Sequence, residues 1–247
     1  MEETLEKIED LVVTGGPAYL GSVNVDMIVR CHHDSDFARY YQNCHLCLTD
    51  GVPVLWASKF LGTPLKEKVA GSDLVPRICA LANARGYKIF FLGGRTGAAA
   101  AAKVKLLKDF PHLKIVGTYA PPYGFEKDLQ ELRRIEAMVR EAGPDILLVG
   151  LGAPKQEIWI SRYYEDLGVP VMMGVGVTFE FIAGIVKRAP RWMQQSGLEW
   201  LWRLLMEPQR LWKRYLVDDL KFFGLVLKQK FIGRYPNKNF FNASAPS

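Results

Sequence analysis

Short, largely apolar runs recur along most of the chain, at residues 19–23, 44–48, 88–92 (KIFFL), 113–116, 145–149 (DILLV) and 169–173. Several run straight into glycine: Gly93-Gly94, Gly150 and Gly174. Apolar spacing of three and four predicts helices at 2–12, 126–142 and 154–167, and an alanine-rich helix ends near Asp109. Apolar strands that meet glycine and then a helix predict an α/β fold, with a mostly parallel, Rossmann-like sheet covered by helices on both faces. In such sheets the active site lies beyond the carboxyl ends of the strands. After Ala189-Pro190 the alternation stops and a series of helices follows, interrupted at Pro208. The expected organisation is an α/β domain at 1–190, a helical appendage at 191–236 and a frayed tail at 237–247.

Charge changes this picture at the C-terminal end. The chain carries +6 overall, yet residues 185–238 hold twelve basic residues against four acidic ones, so that segment carries +8 and the rest about −2. It also holds Trp192, Trp200, Trp202 and Trp212, four of the six tryptophans. A basic, aromatic end on a near-neutral body implies an anionic partner: a membrane surface, nucleic acid or a phosphorylated substrate. Tryptophan suits the headgroup region, and lysine and arginine bind anionic lipid there; the alternative is a helical flap with its tryptophans packed inward. No apolar stretch reaches the roughly 18–20 residues of a membrane-spanning helix. The acidic start lacks a signal-peptide core, and four cysteines do not make a disulfide scaffold, so a cytoplasmic setting is expected.

The strand ends carry the candidate chemistry. Gly93 and Gly94 open a loop before a helix, where backbone N–H groups favour phosphate; a plain tight turn is the alternative. The spacing is not G-x-G-x-x-G, and no acid ends the next strand, which argues against a dinucleotide cofactor. Lys155 and Gln156 stand at a helix start behind Gly150-Leu151-Gly152, where a cation suits phosphate and an amide suits a sugar or base. Asp50, after the run at 44–48, is a metal ligand, a general base or a helix cap; Asn24 reads as a cap or turn residue. Cys44 and Cys47, placed on one strand, point to opposite faces and cannot share a metal.

Together these residues resemble the WecG/TagA/CpsF family of glycosyltransferases, from about residue 19 to about 216. The marks are TDGVPV (49–54), KVAGSDL (68–74), LVGLGAPKQE (148–157), MGVGVTFEFIAG (173–184), VKRAP (186–190) and GLEWLWRLLMEPQR (197–210). The resemblance implies an inverting enzyme without metal or cofactor, which moves a sugar from a UDP-sugar donor to a polyprenyl-diphosphate-linked acceptor in cell-surface polysaccharide synthesis. The sugar would be N-acetylmannosamine, its uronic acid or glucose. It implies Asp50 as general base, Asn24 and Ser22 at the sugar or acceptor, Lys155 and Gln156 at the donor, and Glu180 near the nucleoside. It also implies that Arg203, Arg210 and Arg214 of the appendage meet diphosphate, as guanidinium forks do well. Ser22-Val23-Asn24 stands where the family often has Thr-Pro-Asn. The implied partners are the two substrates and the inner face of the plasma membrane, with no nucleic acid; the apolar appendage suggests self-association when off the membrane. The rival readings are a nucleotide-dependent oxidoreductase and a basic binding module without catalysis.

Overall fold

The structure, a computed structural model, describes residues 1–233. The expected tail at 237–247 and the last residues of the expected appendage lie outside the described residues. The chain opens on helix α1 (Glu2–Thr14) and strand β1 (Ala18–Val23), then runs through α2 (Val25–His33), α3 (Ser35–Asn43) and β2 (Leu46–Thr49). Helices α4 (Val52–Leu61) and α5 (Gly71–Arg85) lead to β3 (Lys88–Gly93), α6 (Ala98–Asp109) and β4 (Lys114–Tyr119). A 3₁₀ turn (Phe125–Lys127) precedes α7 (Leu129–Ala142), β5 (Ile146–Gly150), α8 (Lys155–Leu167), β6 (Val171–Gly174) and α9 (Thr178–Ala183). The rest is helical: α10 (Arg191–Gln195), α11 (Glu199–Met206), α12 (Pro208–Lys213), a π-helical turn (Arg214–Asp218) and α13 (Lys221–Ile232).

The strands form one six-stranded sheet in the order β2-β1-β6-β5-β3-β4. The pairs β1–β6, β6–β5, β5–β3 and β3–β4 are all parallel. Successive side chains of a strand point to opposite faces, and every residue of β5 and β6 is buried, so both faces of the sheet are covered there. This is the expected parallel α/β architecture. Strand β4, at the sheet edge, alternates buried and exposed residues at its start instead. The helix expected at 126–142 is broken in two because Asp128 turns its carboxylate onto the N–H groups of Gln130 and Glu131, capping a new helix there.

The chain forms two compact units. The first joins Met1–Gly21 to Gly71–Lys187. In it α6 packs on β3 and β4, α7 on β4, and α8 on β5 and β6, while α1 and α5 pack on one another and on β6 and β3 respectively. Ile146, Leu147, Leu148 and Val149 are wholly buried, each contributing at most about 1.5–3 kcal/mol.

The second unit joins Ser22–Ala70 to the chain from Arg188 on. Here α13 packs against α2 and α4, and the π-helical turn against α2. Pro208 starts α12, where a missing N–H costs nothing, and this separates α11 from α12 as the sequence suggests. Leu211 and Phe222 are buried, while Trp192, Trp212, Leu220, Phe223, Leu227 and Phe231 are half or more exposed. Among the described residues no helix is long and apolar enough to cross a membrane.

Candidate active site

In the first unit, parallel register places the carboxyl ends of three strands side by side, with Gly93 opposite Gly150 and Val149 opposite Gly174. Gly93 has φ +104°, and a Cβ there would lie 2.6 Å from the Gly150 carbonyl. Only glycine permits that approach, which lets the Gly94 N–H donate to the Gly150 oxygen at 2.7 Å. The loop then enters α6 through Gly97, without a side-chain cap, so the start of α6 suits an anion.

Gln156 is buried and works on the protein's own loops. Its Oε1 accepts from the N–H of Gly152 at 3.2 Å and of Gly176 at 3.1 Å, and its Nε2 donates to Glu157 at 2.8 Å. Gly174 makes room for this amide, since a Cβ there would sit 2.6 Å from Gln156 Nε2. The side chain therefore ties the loop after β5 to the loop after β6. Glu180, also buried, does the same for the loop after β3: its Oε1 accepts from the Arg95 N–H at 2.8 Å. Its Oε2 is buried with no partner among the described residues. Lys155 turns elsewhere, its Nζ 2.6 Å from Glu126 Oε1 and 4.8 Å from the centre of the Tyr123 ring. The Lys155 ammonium holds the Glu126 carboxyl below its ordinary range. Beside this pair lies a pocket of about 100 Å³, lined in part by Phe125, Trp159, Arg162 and Tyr163.

In the second unit, Ser22, Asn24 and Asp50 come together. The Asp50 N–H donates to the Val23 oxygen at 2.8 Å, and the Thr49 oxygen accepts from Val69 at 2.7 Å. Asn24 caps α2, its Oδ1 accepting from the Met27 N–H at 3.2 Å. The Ser22 carbonyl accepts from the Tyr41 hydroxyl at 3.1 Å. Asp50 is half-buried and is not a cap, because Gly51 holds that position on α4.

Of the three arginines, Arg203 is half-buried on α11, and Arg210 is exposed and paired with Glu207 one helical turn away. Arg214 Nη2 lies 3.4 Å from Asp26 Oδ2, a buried carboxylate that the sequence did not single out. Three motif blocks also meet, for Glu199 of α11 faces Lys68 at 3.8 Å and Arg188 at 3.7 Å. Neither Asp26 nor Glu199 carries a local signal beyond an acid in the first turn of a helix; their partners lie far along the chain. The cysteine geometry differs from expectation. Cys44 follows α3 as its cap and is off the strand, so its thiol reaches the Tyr41 carbonyl at 3.2 Å and hydrogen-bonds to Cys47, raising the Cys47 thiol's pKa.

The match to known proteins spans this whole arrangement. A model of the family described as glycosyl transferase WecG/TagA/CpsF matches residues 1–235. The chain belongs to the WecG/TagA/CpsF family of glycosyltransferases. Curated relatives in that family carry the name N-acetylglucosaminyldiphosphoundecaprenol N-acetyl-beta-D-mannosaminyltransferase. The chain is 31% identical to the one from Bacillus subtilis (strain 168), over 86% of this chain and 80% of that protein. It is 29% identical to the one from Bacillus spizizenii (strain ATCC 23059 / NRRL B-14472 / W23), over 89% and 82%. It is 33% identical to the one from Staphylococcus aureus (strain MW2), over 68% and 62%. A WecG/TagA/CpsF chain is a glycosyltransferase, which sets aside both the oxidoreductase and the non-catalytic module.

Proposed function

We propose that this glycosyltransferase moves N-acetylmannosamine from a UDP-sugar to a polyprenyl-diphosphate-linked N-acetylglucosamine, inverting the anomeric centre without a metal. The names of the relatives favour this sugar and this acceptor over the uronic acid or glucose. The observation that carries the reading is Asp50: half-buried at a strand end, beside Asn24, with the neighbouring helix cap taken by Gly51. Asp50 takes the proton of the acceptor hydroxyl as that oxygen attacks the anomeric carbon. The bond from that carbon to the UDP oxygen breaks on the opposite side, and UDP leaves with the electron pair.

In the first unit, the start of α6 behind Gly93 and Gly94 takes donor phosphate, with Glu180 at the nucleoside and Lys155 at the donor once it exchanges its pairing with Glu126 for the ligand. Gln156 acts on the donor by fixing the two loops it bridges. In the second unit, Ser22 and Asn24 orient the sugar or acceptor, and Arg203, Arg210 and Arg214 meet diphosphate. The exposed tryptophans and phenylalanines of the C-terminal helices, interleaved with lysine and arginine, rest on the inner face of the plasma membrane, where the acceptor is anchored. Off the membrane the same face favours self-association.

Incubation with a panel of UDP-sugars and a short-chain lipid-diphosphate N-acetylglucosamine tests this directly. Mass spectrometry should show one added N-acetylhexosamine with the N-acetylmannosamine donor. UDP at about 100 times its Kd should raise Tm by roughly 5–10 °C, and NAD should not. A shift with NAD alone, or no product from any UDP-sugar, contradicts the reading.

A further inference from the structure

Asp26 lies two residues past Asn24, in the first turn of α2, and its side chain is 5% exposed. Both its oxygens accept from Arg30 Nε, at 3.1 and 3.0 Å. The same carboxylate faces Arg214 Nη2 at 3.4 Å across from the π-helical turn. A buried charge persists only when paired, and Arg30 alone already pairs this one. The second cation exceeds what Asp26 needs for burial, and it also acts on the nearby Asp219 carboxylate, whose Oδ1 is buried with no hydrogen-bond partner among the described residues.

Arg214 itself is used sparingly by the protein. A guanidinium offers five N–H donors, and the contact with Asp26 engages one nitrogen at ion-pair distance. Its Nε is buried with no partner among the described residues, and its side chain is 25% exposed. The Tyr215 ring lies beneath it, 5.4 Å from ring centre to guanidinium carbon. Held on one edge by a carboxylate and on one face by an aromatic ring, the group keeps donors for a further anion. π-Helical turns of this kind recur at functional sites.

We infer that Asp26 is a positioning residue, whose buried carboxylate orients Arg214 toward the diphosphate of the acceptor. The inference rests on the proposed role of Arg214 and adds the residue through which that role is set. Arg30 completes the arrangement by keeping Asp26 in place, so that Arg214 is oriented before the substrate arrives. Preorganisation of this sort saves the ordering cost that binding would otherwise meet.

The test is a double-mutant cycle on the full chain, with a short-chain lipid-diphosphate N-acetylglucosamine as the varied substrate. Arg214→Ala should raise the acceptor KM roughly 10- to 100-fold. Asp26→Asn should raise it about tenfold with a smaller change in kcat, and should add little in the Arg214→Ala background. Asp26→Glu, which restores the charge, should recover most of the loss, and far-UV melting identifies any variant that fails to fold. If Asp26→Asn does not fold, the same cycle run with Asp26→Glu, expected to shift KM a fewfold only when Arg214 is present, decides the matter. An equal effect of the Asp26 change with and without Arg214 overturns the positioning role alone. An unchanged KM in Arg214→Ala overturns the role of Arg214 and the inference with it.

Discussion

Gln156 shows how a residue chosen for substrate chemistry is first employed by the fold. Its amide satisfies two loop N–H groups and one buried carboxylate, leaving little of it for a ligand. Gln156→Ala should therefore lower stability by about 2 kcal/mol in urea unfolding, since it strands buried partners. An unchanged midpoint would mean that the loops hold without it. The Asp26 cluster yields a pH prediction at the same scale. Burial first, and then the carboxylates of Asp26 and Asp218, push the Asp219 carboxyl up to about 6 against the pull of Arg214 and Arg30. The folded value exceeds the ordinary 3.8, so between about pH 4 and 6 the folded state binds more protons than the unfolded state. The contribution of Asp219 to stability thus falls as pH rises through that window. Asp219→Asn should stabilise the protein at pH 7 and flatten the difference in urea midpoint between pH 5 and pH 7. A variant with the wild-type slope would contradict this assignment.

At the scale of elements, strands β3, β5 and β6 were legible because each is an apolar run that ends in glycine. Helices α2 to α5 were not. Helix α4 (VPVLWASKFL) is apolar nearly all round and shows no clear face, and α5 carries Pro76 inside its span. Cys44 was misplaced for a related reason: an apolar run does not reveal that its first residue is the cap of the preceding helix and lies ahead of the strand. Of the candidate site, Asp50, Asn24 and the glycine loops were legible from their places after strands, whereas Asp26 and Glu126 were not, because long-range ion pairs leave no periodic trace. Helix α13 and its cap residue Leu220 present an exposed apolar stripe that the sequence reading did not pick out, with Leu220, Phe223, Leu227 and Phe231 at helical spacing and 57%, 56%, 50% and 77% exposed. Replacing Phe223 and Phe231 with serine should weaken binding to anionic vesicles by roughly tenfold per residue and leave Tm nearly unchanged. A lowered Tm with intact vesicle binding would make the stripe a packing surface instead.

At the scale of the whole molecule, one chain carries a loop cluster suited to a nucleotide sugar, a candidate base, a set of arginines and an exposed apolar helix suited to a lipid-linked acceptor. Family membership establishes glycosyl transfer; the division of labour among residues is the proposal. Asp50 is its centre, because every other role serves the attack that Asp50 would assist. The most direct measurement is sugar transfer by Asp50→Asn, beside its melting curve and its affinity for UDP. The role of Asp50 as base predicts that turnover falls by roughly 10²–10⁴-fold, while Tm and UDP binding stay near those of the wild type. Turnover within a fewfold of wild type would contradict it.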